Sequence, residues 1–333
     1  MAPATRAEGP HGVLVVDKPE GLTSHDVVDG VRRALGVRRA GHTGTLDPFA
    51  TGVLPVCVGK ATRLARFLAG GAKEYRATVR LGLATTTDDA TGEPLAPPRS
   101  VDADEPAVRA ACASLVGTQL QVPPAYSARR VGGRRLYELA RQGVAVERPP
   151  SRVTVHEIEV RSFEGDRVEI DVRCSPGTYV RALARDLGES LGVGGHLVAL
   201  RRTRTGPFDL SSAMSWTDVP SARADHLVPL STLLSNLPTV TLGVEGAEML
   251  RHGRDLGRRH VESGFPDGEP PERLRLVGRD GALLALAVPR GFDTPAPGLT
   301  IEPVLHPDVV LLDWRRGTSS KRQRGLQASK GLC

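Results

Sequence analysis

The chain has few cysteines and aromatics and no long apolar run. Its four cysteines, Cys57, Cys112, Cys174 and Cys333, stand far apart, without a CxxC pair or a Cys/His cluster. That spacing argues against structural zinc and against a disulfide framework, and it fits a reducing compartment. The opening segment MAPATRAEGPHG lacks the apolar stretch of a secretory signal. No apolar run approaches membrane-spanning length. The expectation is a cytoplasmic protein with no membrane association. Cofactor signatures are missing too. No GxGxxG opens a helix, and neither HExxH nor GxSxG occurs. Gly59-Lys60 superficially resembles a phosphate-binding loop, but Leu54 stands where its first glycine belongs and Ala61 where it needs Ser or Thr. Nothing points to a nucleoside triphosphate, a dinucleotide, a metal or a serine nucleophile, so no cofactor is expected.

What is present is basic, but unevenly so. The net charge is +6, and the stretch from Asp313 to Cys333 supplies +5 of it, from six Lys/Arg and one acid. The rest of the chain is close to neutral, so an argument for nucleic acid must rest on how its charges cluster. They cluster in PPAYSARRVGGRRLYELARQG, residues 123–143, which holds five arginines, two tyrosines and a Gly-Gly pair. Arginines interleaved with aromatics suit phosphate contact and base stacking.

Residues 13–16 read as a buried strand, and Ser24 as the N-cap of a helix over residues 26–35 that ends at Gly36. A strand at residues 53–59 and a helix at 61–68 follow. Residues 73–81 alternate apolar and polar, as a half-buried strand does. Residues 85–100 form a polar loop, 106–116 a helix, 153–160 and 167–174 a strand pair, and 178–191 a helix after Pro176-Gly177. Beyond Leu237-Pro238, short strands at residues 273–277 and 282–288 flank a hairpin turn, and another is expected at 301–305. Strands and helices without a βαβ rhythm predict an α+β fold with a mixed, largely antiparallel sheet.

The stretch GHTGTLDPFATGVLPV, residues 41–56, carries a single carboxylate, Asp47. An aspartate before proline is most often a turn former. A catalytic carboxylate would instead need a cation to steer it, and Arg181, in the first turn of a helix, is a candidate. Tyr75 and Tyr179 stand out because tyrosine is scarce, and an aromatic facing a cleft can stack on a base. His42 could meet phosphate or bases. The residues alone support an RNA- or DNA-handling protein with a carboxylate site, and they do not name its reaction.

Several motifs, in order, resemble the TruB-type tRNA pseudouridine-55 synthases of bacteria. GHTGTLDP resembles the family's catalytic loop, GVLVVDKPEGLTSHDVV its Lys-Pro motif at Lys18-Pro19, and KEYRATVRLG its tyrosine strand at Tyr75. The arginine-rich segment resembles an RNA-clamping insertion, at about residues 123–150. CSPGTYVRALARDLG resembles the arginine motif at Arg181, and LRRTRTGPF the strand that follows, with Leu200.

The resemblance implies a flexible N-terminus over residues 1–10 and a pseudouridine synthase catalytic domain over 11–236. The β-rich unit over 237–313 resembles the PUA-like RNA-binding module such enzymes carry; the basic tail over 314–333 has no counterpart in the family and, lacking apolar content, is expected to be disordered. The family resemblance implies isomerisation of uridine 55 in the T-loop of tRNA, with base flipping and no cofactor. Asp47, Tyr75 and Arg181 would be catalytic: Asp47 as the essential carboxylate, Arg181 pairing with it, Tyr75 stacking on the base. His42 would fill the space vacated in the T-loop, and Lys18 and Pro19 would support the site wall. Tyr179, Leu200, Arg134 and Arg135 would bind substrate, and Asp89 would contact the target base or position the tyrosine. The partner would be the T-arm of tRNA, engaged by a monomer without a protein partner. Alternatives are a non-catalytic tRNA-binding folding chaperone and the catalytic subunit of a guide-RNA-dependent particle.

Overall fold

A computed structural model describes residues 9–127, 130–131, 134–135, 147–291 and 302–312. The expected basic tail, most of the N-terminal segment and Cys333 lie outside the described residues. The chain divides into two compact units, the first ending at Ser235 and the second beginning at Asn236.

The first unit begins with β1 (Gly12–Lys18), α1 (Ser24–Leu35), β2 (Ala40–His42), β3 (Thr51–Val58), α2 (Ala65–Leu68) and β4 (Lys73–Leu81). It continues with α3 (Glu105–Ser114), β5 (Gly117–Gln121), β6 (Arg130–Val131), β7 (Arg134–Arg135), β8 (Ser151–Glu164) and β9 (Arg167–Cys174). It closes with α4 (Val180–Ser190), β10 (Gly195–Thr205), β11 (Phe208–Asp209) and β12 (Met214–Ser215). The main sheet runs β12-β1-β3-β10-β4-β9-β8-β5. Its pairs are antiparallel except for β1–β12 and β3–β10, so the sheet is mixed and largely antiparallel.

The alternation over β4 sends Tyr75, Ala77, Val79 and Leu81 into a core shared with Leu183, Ala184 and Leu187 of α4. Helix α4 comes very close to the start of β10. A Cβ on Gly188 would meet the Gly194 carbonyl carbon and the Gly195 nitrogen at 2.1 Å, so only glycine permits this approach.

The second unit holds β13 (Thr239–Leu242), α5 (Val244–Arg251), β14 (Leu256–Gly257), β15 (Val261–Ser263), β16 (Leu274–Val277), β17 (Leu283–Arg290) and β18 (Val304–Val310). Its sheet runs β14-β18-β17-β16-β13-β15 around Val240, Leu242, Leu250, Leu274, Leu276 and Leu305. The chain is thus α+β, with a β-rich C-terminal unit. Among the described residues, no helix is long and apolar enough to cross a membrane.

Three local expectations are corrected. The N-cap of α1 is Thr23, which makes a reciprocal capping box with Asp26; Ser24 is buried and bonds elsewhere. Residues 61–68 form a 3-10 turn over Gly59–Leu64 before the single turn of α2. The strand expected at 301–305 is β18 at Val304–Val310, set by its pairing with β17. Strand β5 has no counterpart in the sequence reading.

Candidate active site

The 41–56 stretch forms the end of β2, a loop and β3, and the loop is held at nearly every step. Thr43 N donates to Pro55 O at 3.1 Å. Ser24 Oγ accepts from Leu46 N at 2.8 Å and donates to Leu46 O at 3.0 Å. Pro48 O accepts from Gly21 N at 2.8 Å and from Lys18 Nζ at 3.1 Å. Lys18 is fully buried and also donates to Pro19 O and Leu22 O, at 2.8 and 2.7 Å. Burial lowers its pKa to about 8, with the Asp47 charge pulling the other way. Lys18 thus binds the Pro19 turn to the Asp47 loop.

Asp47 does form the turn that its proline suggested, because its carbonyl accepts from Ala50 N at 3.1 Å. Its side chain is left free for other work. Arg181 Nε lies 3.0 Å from Asp47 Oδ2; the arginine side chain is 5% exposed and the aspartate side chain 34%. The carboxylate therefore opens outward while its cation is sealed behind it. Arg181 Nη1 donates to Asp89 Oδ2 at 3.1 Å and to Thr87 O at 3.1 Å, and Nη2 donates to Tyr126 O at 2.8 Å. Burial pushes the Asp47 carboxyl above its ordinary value, Arg181 opposes that shift, and the Asp89 charge adds to it.

Asp47 and Arg181 line a cavity of about 330 Å³, together with Tyr75, Tyr179, Leu200, Lys73 and Arg202. That is room for one pyrimidine nucleotide's base and sugar. Tyr75 is 7% exposed, and burial raises its phenol pKa. Tyr179 precedes α4 and is fixed through its backbone: its N–H donates to Gln121 Oε1 at 2.8 Å and its carbonyl accepts from Gln121 Nε2 at 3.1 Å.

Among the described residues, Lys18, Pro19, His42 and Asp89 fall outside the lining. Asp89 gives one oxygen to Arg181 and the other to Thr87 Oγ1, Thr91 N and Thr91 Oγ1, at 2.7, 3.0 and 2.6 Å. It stands behind Arg181. His42 ends β2 opposite Val56; burial lowers its pKa, and among the described residues its buried Nδ1 finds no partner. The backbones of Arg134 and Arg135 pair with Val131 and Arg130 in a two-stranded ribbon, and their side chains lie outside the described residues.

Sequence reasoning missed Arg202 and Lys73. Arg202 is 1% exposed and donates to Val53 O at 2.7 Å, Gly44 O at 3.1 Å and Thr45 O at 3.4 Å, and its positive charge opposes the rise that burial imposes on the Tyr75 phenol. It ties the loop to β3. Lys73 is 8% exposed and donates to Ala69 O at 3.1 Å. The available signal was strand parity: Arg202 sits two residues after Leu200 on β10, and Lys73 two before Tyr75 on β4.

A family model described as "TruB family pseudouridylate synthase (N terminal domain)" matches residues 32–180, and "tRNA pseudouridylate synthase B C-terminal domain" matches residues 181–235. The chain belongs to the TruB family of pseudouridylate synthases. It is therefore an isomerase. Asp47, Tyr75 and Asp89 fall in the first TruB match, and Arg181, Leu200 and Arg202 in the second. The chain is 51% identical over 245 residues to "tRNA pseudouridine synthase B" of Symbiobacterium thermophilum, covering 73% of this chain and 82% of that one. It is 47% identical over 285 residues to the protein of the same name from Thermobifida fusca, covering 83% and 94%. A solved structure titled "Crystal Structure of a Cbf5-Nop10-Gar1 Complex" superposes with a TM-score of 0.67 at 28% identity, over 91% of this chain and 85% of that one. The C-terminal β-rich unit lies beyond both TruB matches.

The three described cysteines are buried, with Cys57 pushed up to about 12 and Cys112 and Cys174 to about 11. None offers a thiolate at neutral pH.

Proposed function

We propose that this chain converts uridine 55 in the T-loop of tRNA to pseudouridine, with Asp47 as the catalytic carboxylate. The single observation carrying this reading is the outward-facing Asp47 carboxylate held 3.0 Å from a sealed arginine inside a nucleotide-sized cavity. Membership of the TruB family and the names of its relatives supply the reaction and the tRNA substrate. The target uridine leaves the stack to reach a cavity of this kind. Tyr75 and Leu200 then enclose the base, and Tyr179 stands at the cavity edge. His42 occupies the space the base vacates. Arg134 and Arg135 of the insertion, and the PUA-like second unit, add contacts to the RNA backbone.

The chemistry breaks the N1–C1′ glycosidic bond, turns the uracil and joins C5 to C1′. The C5 proton is lost and N1 gains one, so the product is an isomer and no cofactor takes part. Asp47 has two routes open to it. It adds to C1′ and is displaced when C5 attacks, or it takes a proton from C2′ and returns it after the base re-adds. Both need the carboxylate ionised.

The test uses a bare tRNA transcript labelled with tritium at uridine C5, without guide RNA or partner proteins, and maps the modified position in the product. The wild type releases tritium and modifies position 55, while Asp47→Asn does neither. Release by Asp47→Asn at the wild-type rate would remove the catalytic role. Tight binding with no release by either protein would favour a chaperone or a guide-dependent subunit.

A further inference from the structure

Arg185 lies one helical turn beyond Arg181 on the same face of α4. The two arginines meet two adjacent carboxylates, Arg181 with Asp89 and Arg185 Nη1 with Asp88 Oδ2 at 2.9 Å. Arg185 Nη2 also donates to Val122 O at 3.2 Å and to Asp186 Oδ1 at 2.8 Å, which fixes its guanidinium in place.

Asp88 has a φ of +59°, in the left-handed region. Residues with a side chain adopt it at a cost and keep it only where the surroundings impose it. Here the imposition is visible. Arg185 holds the carboxylate, Leu197 N donates to Asp88 O at 3.0 Å, and Ala90 N donates to Leu197 O at 2.9 Å. The backbone turns at Asp88, and the next side chain is the Asp89 carboxylate that faces Arg181. Neither Arg185 nor Asp88 lines the cavity.

We propose that Arg185 and Asp88 are positioning residues: their ion pair fixes the left-handed turn that presents Asp89 to Arg181, and through Arg181 it aims the Asp47 carboxylate. This rests on the reading of Asp47 as the catalytic carboxylate. The pair never touches substrate, so it acts on turnover and leaves affinity alone. A purely structural ion pair would lower the melting temperature and spare kcat in the folded enzyme.

The experiment measures kcat and KM for tritium release from the tRNA transcript, with a thermal melt of each full-length variant. Arg185→Gln and Asp88→Ala lower kcat by about tenfold or more, as small displacements of reacting groups do, with KM within about twofold of wild type. The double variant is no worse than the poorer single, because the two residues act as one unit. Asp88→Asn tolerates the left-handed turn and still accepts from Arg185, so it regains most of the loss. A folded Arg185→Gln with kcat within about twofold of wild type would overturn the proposal; so would losses that multiply in the double variant. Arg185→Gln leaves the Asp88 backbone untouched, so it carries the test alone if Asp88→Ala does not fold. An inactive wild type, or an active Asp47→Asn, sinks the reading of Asp47 itself. An active wild type with a dead Asp47→Asn and a normal Arg185→Gln sinks only this inference.

Discussion

Arg181 Nε sits 3.0 Å from Asp47 Oδ2, and the same guanidinium reaches Asp89, Thr87 O and Tyr126 O with its other nitrogens. One planar cation thus ties together the Asp47 loop, the 87–89 loop and the start of the insertion. A lysine has one nitrogen and no fixed fork, and cannot reproduce this. Arg181→Lys therefore keeps the charge and loses the geometry. The expected outcome is a kcat lower by about 100-fold or more at saturating tRNA, a loss typical of displaced catalytic groups. Single-turnover kinetics on the transcript check it.

The pH dependence follows from the direction of the Asp47 shift. Burial raises its pKa, so the folded protein protonates Asp47 at a higher pH than an ordinary carboxylate. Since both chemical routes need the ionised form, kcat falls on the acid side, with its midpoint above the ordinary aspartate range of about 3.9. The stability sign is the reverse. A raised carboxyl pKa means that the folded state binds the proton more readily, so this group's contribution to stability grows as pH falls. A kcat–pH profile with its acid midpoint at or below the ordinary aspartate value would contradict the assignment.

Lys18 makes three bonds to backbone carbonyls from a fully buried position. Lys18→Met preserves much of the volume and leaves the carbonyls of Pro19, Leu22 and Pro48 without this donor. The expected loss is roughly 2 kcal/mol, in the range for hydrogen bonds to a charged group, read by urea denaturation. Some activity survives, because Lys18 supports the loop without touching the cavity. The wild-type pKa of about 8 adds a signature. Between about pH 8 and the ordinary lysine value, the unfolded chain holds this proton and the folded one does not. Stability from this group therefore rises with pH across that window, and Lys18→Met removes the rise.

Gly188 sits where α4 nearly touches the Gly194-Gly195 backbone. Alanine would gain about 1 kcal/mol in helix propensity. It would also drive a methyl into backbone that has no flexible end to yield. Overpacking of this kind costs about 1–3 kcal/mol or more. Gly188→Ala is therefore expected to lower the melting temperature, and kcat falls with it because α4 carries Arg181. A variant as stable as wild type would show that the helix can move away freely.

Some elements could be read directly, and each had a local cause. The β4 strand shows its alternation because one face is core and the other is not. Asp47, Tyr75 and Arg181 were found because each sits in a recognisable motif. Strand β5 was hidden because its polarity is inverted. Leu120 points outward at 70% exposure, while Gln121 is 2% exposed and bonds the Tyr179 backbone. A serine before a helix usually caps it, yet the Ser24 hydroxyl serves Leu46, twenty-two residues away.

The sequence by itself determined the α+β class, most of the elements and the identity of the Asp47 loop, since these depend on periodicity, turn chemistry and contiguous motifs. It also named Arg181 as the partner of Asp47, through a motif and not through geometry. Only the tertiary structure decided that Asp89 backs Arg181, that Arg202 and Lys73 stand inside the cavity wall, and that Arg185 grips Asp88. Those relationships join residues up to 158 positions apart, as between Gly44 and Arg202. A buried charge is tolerated only where the fold brings partners to it. The residue types are written locally, but which carbonyl or carboxylate meets each cation is set by strand register and by how closely a helix approaches a sheet.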